Sequence, residues 1–174
     1  GTDQGSLSNA ECHVATCGSM SLSTTFAVEA WVYPTSVSSA WRDVIYKGND
    51  NYYLNATSTN GSRPAAGALF SGTHGEVYGT SALTVNTWAH LATTYDGSSQ
   101  KLYIDGNLVA SRAQSGPITI SSNPLEIGSD HIYGLYFAGQ IDEVRVYDTA
   151  LSQAQVQTDM STAIGGNSGD IEAP

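Results

Sequence analysis

Four short stretches set an aromatic ring beside groups that donate or accept hydrogen bonds: Trp41-Arg42-Asp43, Tyr52-Tyr53, His74-Gly75-Glu76-Val77-Tyr78 and Asp130-His131-Ile132-Tyr133. Aromatic faces stack on sugar C–H surfaces, while planar polar groups beside them take up hydroxyls, so this pairing suits carbohydrate binding. The candidate sugar contacts are His74, Glu76, Tyr78, Asp130, His131, Tyr133, Trp41 and Arg42. Segments 71–79 and 128–136, bounded by Gly and Ser, read as two loops forming the rim of that site. Tyr and Trp also fill strand faces, a role that suits Trp31 and Trp88 best.

Hydrolysis of a glycosidic bond needs two carboxyl groups about 5–10 Å apart across a concave surface. Asp142 and Glu143 are sequence neighbours, and alternation along a strand sends them to opposite faces. No Gly-x-Ser-x-Gly elbow, His-Glu-x-x-His helix or phosphate loop occurs. A lyase would recruit His74 or His131 with Tyr78 or Tyr133 for proton transfer, and nothing in their spacing marks them. No catalytic residue is therefore expected.

Asp142 is the metal candidate. In the run Ile141-Asp142-Glu143-Val144-Arg145-Val146-Tyr147, alternation places Asp142 with Val144 and Val146 on a core-facing row. A carboxylate there needs backbone N–H donors, a bulge that carries it to the rim, or a cation such as calcium. Asp3, Glu11, Asn49 and Asp50 are further oxygen donors without calcium-loop spacing. The other face of the same run pairs Glu143 with Arg145 as a solvated ion pair. Glu29, in register with Trp31 and Tyr33, reads as a satisfied polar group on a half-buried row. Cys12 and Cys17 are close enough for a local disulfide in an oxidising compartment, and with only His13 nearby they lack the ligands of a zinc site.

The elements that must position these groups are strands. Ten Tyr, eighteen Gly and only six Lys plus Arg leave little material for surface helices. Strand-like runs recur at 26–33, 42–47, 51–56, 65–70, 76–80, 87–95, 100–105, 107–112, 118–120, 124–128 and 136–147, the spacing of a sandwich. Asp105-Gly106-Asn107 predicts a tight hairpin, and Ser152 with Gln155 predicts a capped helix over 153–160 with Leu151 stapled to Val156. Segment 57–64 reads as a surface loop, and Asn55-Ala56-Thr57 and Asn60-Gly61-Ser62 are formal glycosylation sequons. Residues 1–164 are expected to form one domain, followed by a Gly-rich linker at 165–174 toward a further domain. The net charge of −10 argues against nucleic acid as a partner and tilts the ligand toward a neutral glycan. No spanning segment or signal peptide is visible.

Three ordered segments, Phe26-Ala-Val-Glu-Ala-Trp-Val-Tyr-Pro34, Asn86-Thr-Trp-Ala-His-Leu-Ala-Thr-Thr-Tyr-Asp-Gly97 and Phe137-Ala-Gly-Gln-Ile-Asp-Glu-Val-Arg-Val-Tyr147, resemble laminin-G-like domains of the concanavalin A-like lectin/glucanase superfamily. Lys101-Leu-Tyr-Ile-Asp-Gly-Asn-Leu-Val109 resembles that family's hairpin, and Leu125-Glu-Ile-Gly128 its following strand. The resemblance implies an all-β, two-sheet antiparallel jelly-roll sandwich with one short C-terminal helix. It also implies a calcium ligand at Asp142 and a life as an accessory module of secreted polysaccharide-acting enzymes. The Glu-x-Asp-x-x-Glu strand of the superfamily's catalytic members is absent. The expected function is non-catalytic carbohydrate binding or adhesion in a secreted protein. A glycanase or lyase, or a purely structural or protein-binding domain, are the alternatives.

Overall fold

Alternation decides which face each strand buries. In β1 (Phe26–Pro34), Phe26, Val28, Ala30 and Val32 enter the main core, and Ala27, Glu29 and Trp31 face the other way. The computed structural model describes residues 20–164. After β1 come β2 (Arg42–Lys47), β3 (Tyr52–Thr57), β4 (Ala65–Phe70), β5 (Thr73–Tyr78), β6 (Ala89–Tyr95) and β7 (Ser99–Ile104). They are followed by β8 (Asn107–Ala113), β9 (Leu125–Ile127), β10 (Gly139–Tyr147) and α1 (Gln153–Met160).

The strands form two five-stranded antiparallel sheets, ordered β10-β1-β6-β7-β8 and β5-β4-β3-β2-β9. Their inner faces close over one core in which Phe26 stacks on Tyr52 and Phe70 packs on Tyr95. The result is the expected jelly-roll-like sandwich. The expected hairpin joins β7 to β8 through Asp105 and Gly106, at φ 50° and 70°, a conformation that glycine adopts freely. The expected strand at 118–120 is reduced to a single bridge between Ile118 and Phe70. Among the described residues no helix is long and apolar enough to cross a membrane.

Two expectations change. Segment 71–79 is mostly not a loop, because Ser71 and Gly72 turn the chain tightly enough for Thr73–Tyr78 to pair with β4. Asp142 does not share a face with Val144 and Val146. Glu143 and Val144 together lie opposite the single residue Ala30, and Glu143 sits at φ 52°, so a β-bulge shifts the alternation. Ile141 and Val144 therefore pack on the core, while Asp142 is exposed and accepts the Glu143 N–H at 2.8 Å. The burial cost that called for a cation at Asp142 is absent.

α1 forms where the capping box predicted it, with Ser152 and Gln155 exchanging side-chain and backbone bonds. Leu151 and Val156 pack with Ala27, Ala92, Tyr103 and Tyr147, closing the outer face of the first sheet. Arg145 Nη1 donates there to Asp159 O at 2.7 Å and lies 3.4 Å from Glu29 Oε1; Nη2 reaches Glu143 Oε2 at 3.0 Å. This is a largely buried node rather than a solvated ion pair. Glu29 is also fully buried, and its Oε2 has no hydrogen-bond partner among the described residues, lying 3.9 Å from His90 Nε2. Burial, reinforced by Asp159 and opposed by Arg145, pushes Glu29 up to about 8. Burial and then Arg145 push His90 down to about 4.

Candidate functional site

With the first sheet capped by α1, the outer face of the second carries a cavity. Along β3, Tyr52 and Leu54 point into the core, which leaves Tyr53 and Asn55 outside. Pairing places Tyr46 beside Tyr53 and Asp43 beside Asn55, while Glu76 lies across Gly67 from Tyr53. Together with Trp41, Asp50, His74, Tyr133 and Leu135 these side chains line a cavity of about 320 Å³.

Gly67 makes room for the Tyr53 ring. A Cβ at this position would lie 2.2 Å from the Tyr53 hydroxyl oxygen and 2.3 Å from its Cζ, so the phenol lies directly across β4. The Tyr53 hydroxyl donates to Glu76 Oε1 at 2.9 Å, and the Tyr78 hydroxyl donates to Glu76 Oε2. Trp41 packs edge-on against Tyr53 at 6.4 Å and tilts against Tyr78 at 6.2 Å between ring centroids. Burial and the adjacent Glu76 raise the Tyr53 phenol well above its ordinary value.

Asp50 anchors the opposite wall. Asn49 and Asp50 take φ of 61° and 59° in the β2–β3 turn, a region these two residue types tolerate. Asp50 Oδ1 accepts the Tyr46 hydroxyl at 3.1 Å, and Oδ2 accepts the Tyr133 hydroxyl at 3.3 Å. His74 Nε2 lies 3.8 Å from the same Oδ2. Tyr133 rides on an Asx-type turn in which Asp130 Oδ1 accepts the Ile132 N–H at 2.6 Å and the Tyr133 N–H at 2.9 Å. Its ring meets Tyr46 edge-on at 6.4 Å.

Beneath the wall, Asn55 Nδ2 donates to Asp43 Oδ1, and both side chains are buried. Burial and then the Asp130 and Asp50 charges push Asp43 up to about 8, with Asn55 opposing.

Of the sequence-derived candidates, Trp41, His74, Glu76 and Tyr133 line the cavity, and Tyr78 backs it through Trp41 and Glu76. Asp130 is fully buried and shapes the loop rather than the rim. His131 is exposed and turned to Glu126, which also accepts its N–H at 2.8 Å, and Arg42 is outside the lining. The pairing of Cys12 with Cys17, and Asp3, Glu11 and the 165–174 linker, lie outside the described residues. Among the described residues no three His, Cys, Asp or Glu side chains converge as metal ligands, at Asp142 or elsewhere. Tyr46, Asp50 and Asn55 were not singled out as sugar contacts. Asn55 stood in a sequon, yet it is buried beside Asp43.

Domain 4 of AbnA, a GH43 extracellular arabinanase from Geobacillus stearothermophilus solved with arabinotriose, superposes with a TM-score of 0.64. It is 22% identical, over 81% of this chain and 68% of that one. The Ruminococcus gnavus IT-sialidase CBM40 bound to α2,3-sialyllactose gives a TM-score of 0.62 at 17% identity, over 80% and 83% of the two chains. Both likenesses show the fold. In sequence, 80 residues are 34% identical to mouse (Mus musculus) pappalysin-1, a stretch that is 43% of this chain and only 5% of that protein. The Laminin_G_3 model matches residues 6–157 and thus spans the sandwich and its helix start, so the chain belongs to this family of the concanavalin A-like lectin/glucanase superfamily.

Proposed function

We propose that the chain is a non-catalytic carbohydrate-binding module that holds a neutral glycan in the cavity on the outer face of its second sheet. One observation carries the reading: Trp41, Tyr46, Tyr53 and Tyr133 surround a cavity whose polar groups are carboxylates, an amide and an imidazole. Such a lining offers stacking faces and hydroxyl partners together. No Lys or Arg lines it, and Asp50 and Glu76 do, so an acidic sugar would meet like charge. Arabinotriose in the AbnA domain therefore suggests a closer ligand class than sialyllactose in the CBM40.

Both oxygens of Glu76 and both of Asp50 accept phenol hydroxyls, which makes them anchors for the aromatic walls rather than free acids or bases. His74 and Tyr133 do meet at Asp50, the pairing a lyase would use. Yet Asp50 holds the Tyr133 phenol above its ordinary value, and no cation in the lining would neutralise a uronate. An extracellular setting, as an accessory domain of a polysaccharide-acting protein, completes the proposal. The test is a glycan array of neutral arabino-, xylo- and gluco-oligosaccharides with sialyllactose as the acidic control, run beside reducing-end and double-bond assays. Binding of a neutral glycan without turnover is expected; turnover would overturn the reading in favour of an enzyme.

A further inference from the structure

Asn60-Gly61 is the one Asn-Gly pair in the sequence, and the fold presents it in the loop between β3 and β4. The loop is closed at its base, where Ser58 Oγ donates to Arg63 O at 2.8 Å. Asn60 and Gly61 are both exposed. Gly61 stands at φ 68°, and its N–H donates no hydrogen bond among the described residues. The amides on either side are engaged: the Asn60 N–H donates to Ser58 Oγ at 3.3 Å and the Ser62 N–H to Ser58 O at 3.2 Å. The Arg63 guanidinium grips both carbonyls of Asn60. Its Nε donates to the backbone oxygen at 2.9 Å, and its Nη2 donates to the side-chain oxygen Oδ1.

Each of these two bonds favours one half of a single reaction. The backbone carbonyl belongs to the Asn60–Gly61 peptide, so a cation on its oxygen draws charge from that amide and eases loss of the Gly61 proton. A cation on Oδ1 polarises Cγ and stabilises the negative oxygen that forms there when Cγ is attacked. Nucleophile and electrophile are neighbours along the chain, and Gly61 carries no Cβ to crowd their approach. Other asparagines lack this setting, since Asn51 and Asn55 are buried and Asn123 precedes a proline, which has no N–H to attack with.

We infer that Asn60 is a site of spontaneous deamidation that Arg63 promotes. The Gly61 nitrogen gives its proton to hydroxide and bonds to Asn60 Cγ; the Cγ–Nδ2 bond breaks, and Nδ2 takes a proton from water and leaves as ammonia. Water then opens the cyclic imide at either carbonyl, giving aspartate or its β-linked isomer. Two bonds carry the change toward the cavity. Ser39 Oγ donates to Thr59 O at 3.2 Å and Thr57 Oγ1 to Ala40 O at 2.6 Å, joining this loop to the segment that leads into Trp41. The β-linked isomer lengthens the backbone by a methylene beside Thr59, so the Trp41 wall shifts and glycan affinity falls as the protein ages. That last step rests on the carbohydrate-binding reading; the modification does not.

The test begins without sugar. The full chain is incubated in mildly acidic and mildly alkaline buffer and mapped by peptide mass spectrometry, with chromatography separating the two acid products. The Asn60 peptide should gain the mass of an amide-to-acid conversion, faster in the alkaline buffer, while Asn51, Asn55 and Asn123 keep their amides. R63Q should slow the conversion about tenfold, the worth of one charge-assisted hydrogen bond, and in urea the two chains should convert at one rate. If R63Q fails to fold, R63K keeps the charge, loses the fork and supplies the same comparison. An Asn60 amide that survives, or equal rates in the folded unaltered chain and the Arg63 variant, overturns the inference. A difference that persists in urea belongs to the local sequence and overturns the role of the fold. Affinity for a glycan-array hit is then measured on fresh and aged protein, and should fall about threefold or more on ageing in the unaltered chain but not in the Arg63 variant. Unchanged affinity overturns the link to Trp41, and an empty array removes the module and leaves the modification.

Discussion

Replacing Glu29 by glutamine should flatten the alkaline side of the stability curve. A carboxyl whose folded value is raised favours the protonated folded state. Its contribution is complete below the unfolded value near 4.5 and is lost as pH rises toward about 8. His90 runs the other way: with its folded value lowered from 6.5 to about 4, its contribution is present above 6.5 and lost as pH falls toward 4. The two slopes oppose each other between about 4.5 and 6.5, and above that only the Glu29 slope of this pair remains. At about 1.4 kcal/mol per pH unit, Glu29 alone costs the unaltered protein about 2 kcal/mol over the interval from 6.5 to 8, a loss that E29Q escapes. The Glu29 side chain is 1% exposed, so no solvent discount applies. In a chain of this size that corresponds to about 4–8 °C in melting temperature. Urea denaturation of the unaltered protein and E29Q at pH 6.5 and pH 8, followed by tryptophan fluorescence, reads the difference. Trp31 is a suitable reporter because it packs against His90 at 5.4 Å and donates to Met160 O. Asp43 titrates in both proteins and cancels. Parallel losses between the two pH values would show that Glu29 is already ionised under α1, and the reasoning would fall.

In the cavity, Gly67→Ala should drive the Tyr53 ring off β4, lower stability by about 1–3 kcal/mol and weaken glycan binding about tenfold or more, read by melting and by titration with an array hit. Tyr133→Ala removes a rim ring that is 54% exposed, so it should weaken glycan binding about tenfold and leave the melting temperature within about 2 °C. At the far side of the molecule, Ser152→Ala breaks the capping box and should cost about 1 kcal/mol in urea denaturation with no change in glycan affinity.

The strands, the hairpin at Asp105-Gly106 and the α1 cap were legible because each depends on neighbours in sequence: alternation, a positive φ, a Ser three residues before a Gln. The bulge at Glu143 was not, since an extra residue opposite Ala30 leaves no mark on the apolar pattern, and it reversed the face assigned to Asp142. The cavity was half legible. Trp41, His74, Glu76 and Tyr133 declared themselves by type, while Asp43 and Asn55 gain meaning only when β2 lies beside β3. Asp130 looked like a rim residue because it precedes His131 and Tyr133, yet its Oδ1 is turned inward by the amides of the residues that follow.

The missing side chain at Gly67 also bears on how this cavity can change over generations. Because the phenol of Tyr53 occupies the space a Cβ would need, positions 53 and 67 behave as one unit. Enlarging 67 alone is harmful, shrinking 53 alone opens a hole, and changing both together is the permitted route to a differently shaped floor. A double-mutant cycle on Y53A and G67A should be strongly non-additive, and relatives with altered sugar preference should exchange the two residues as a pair.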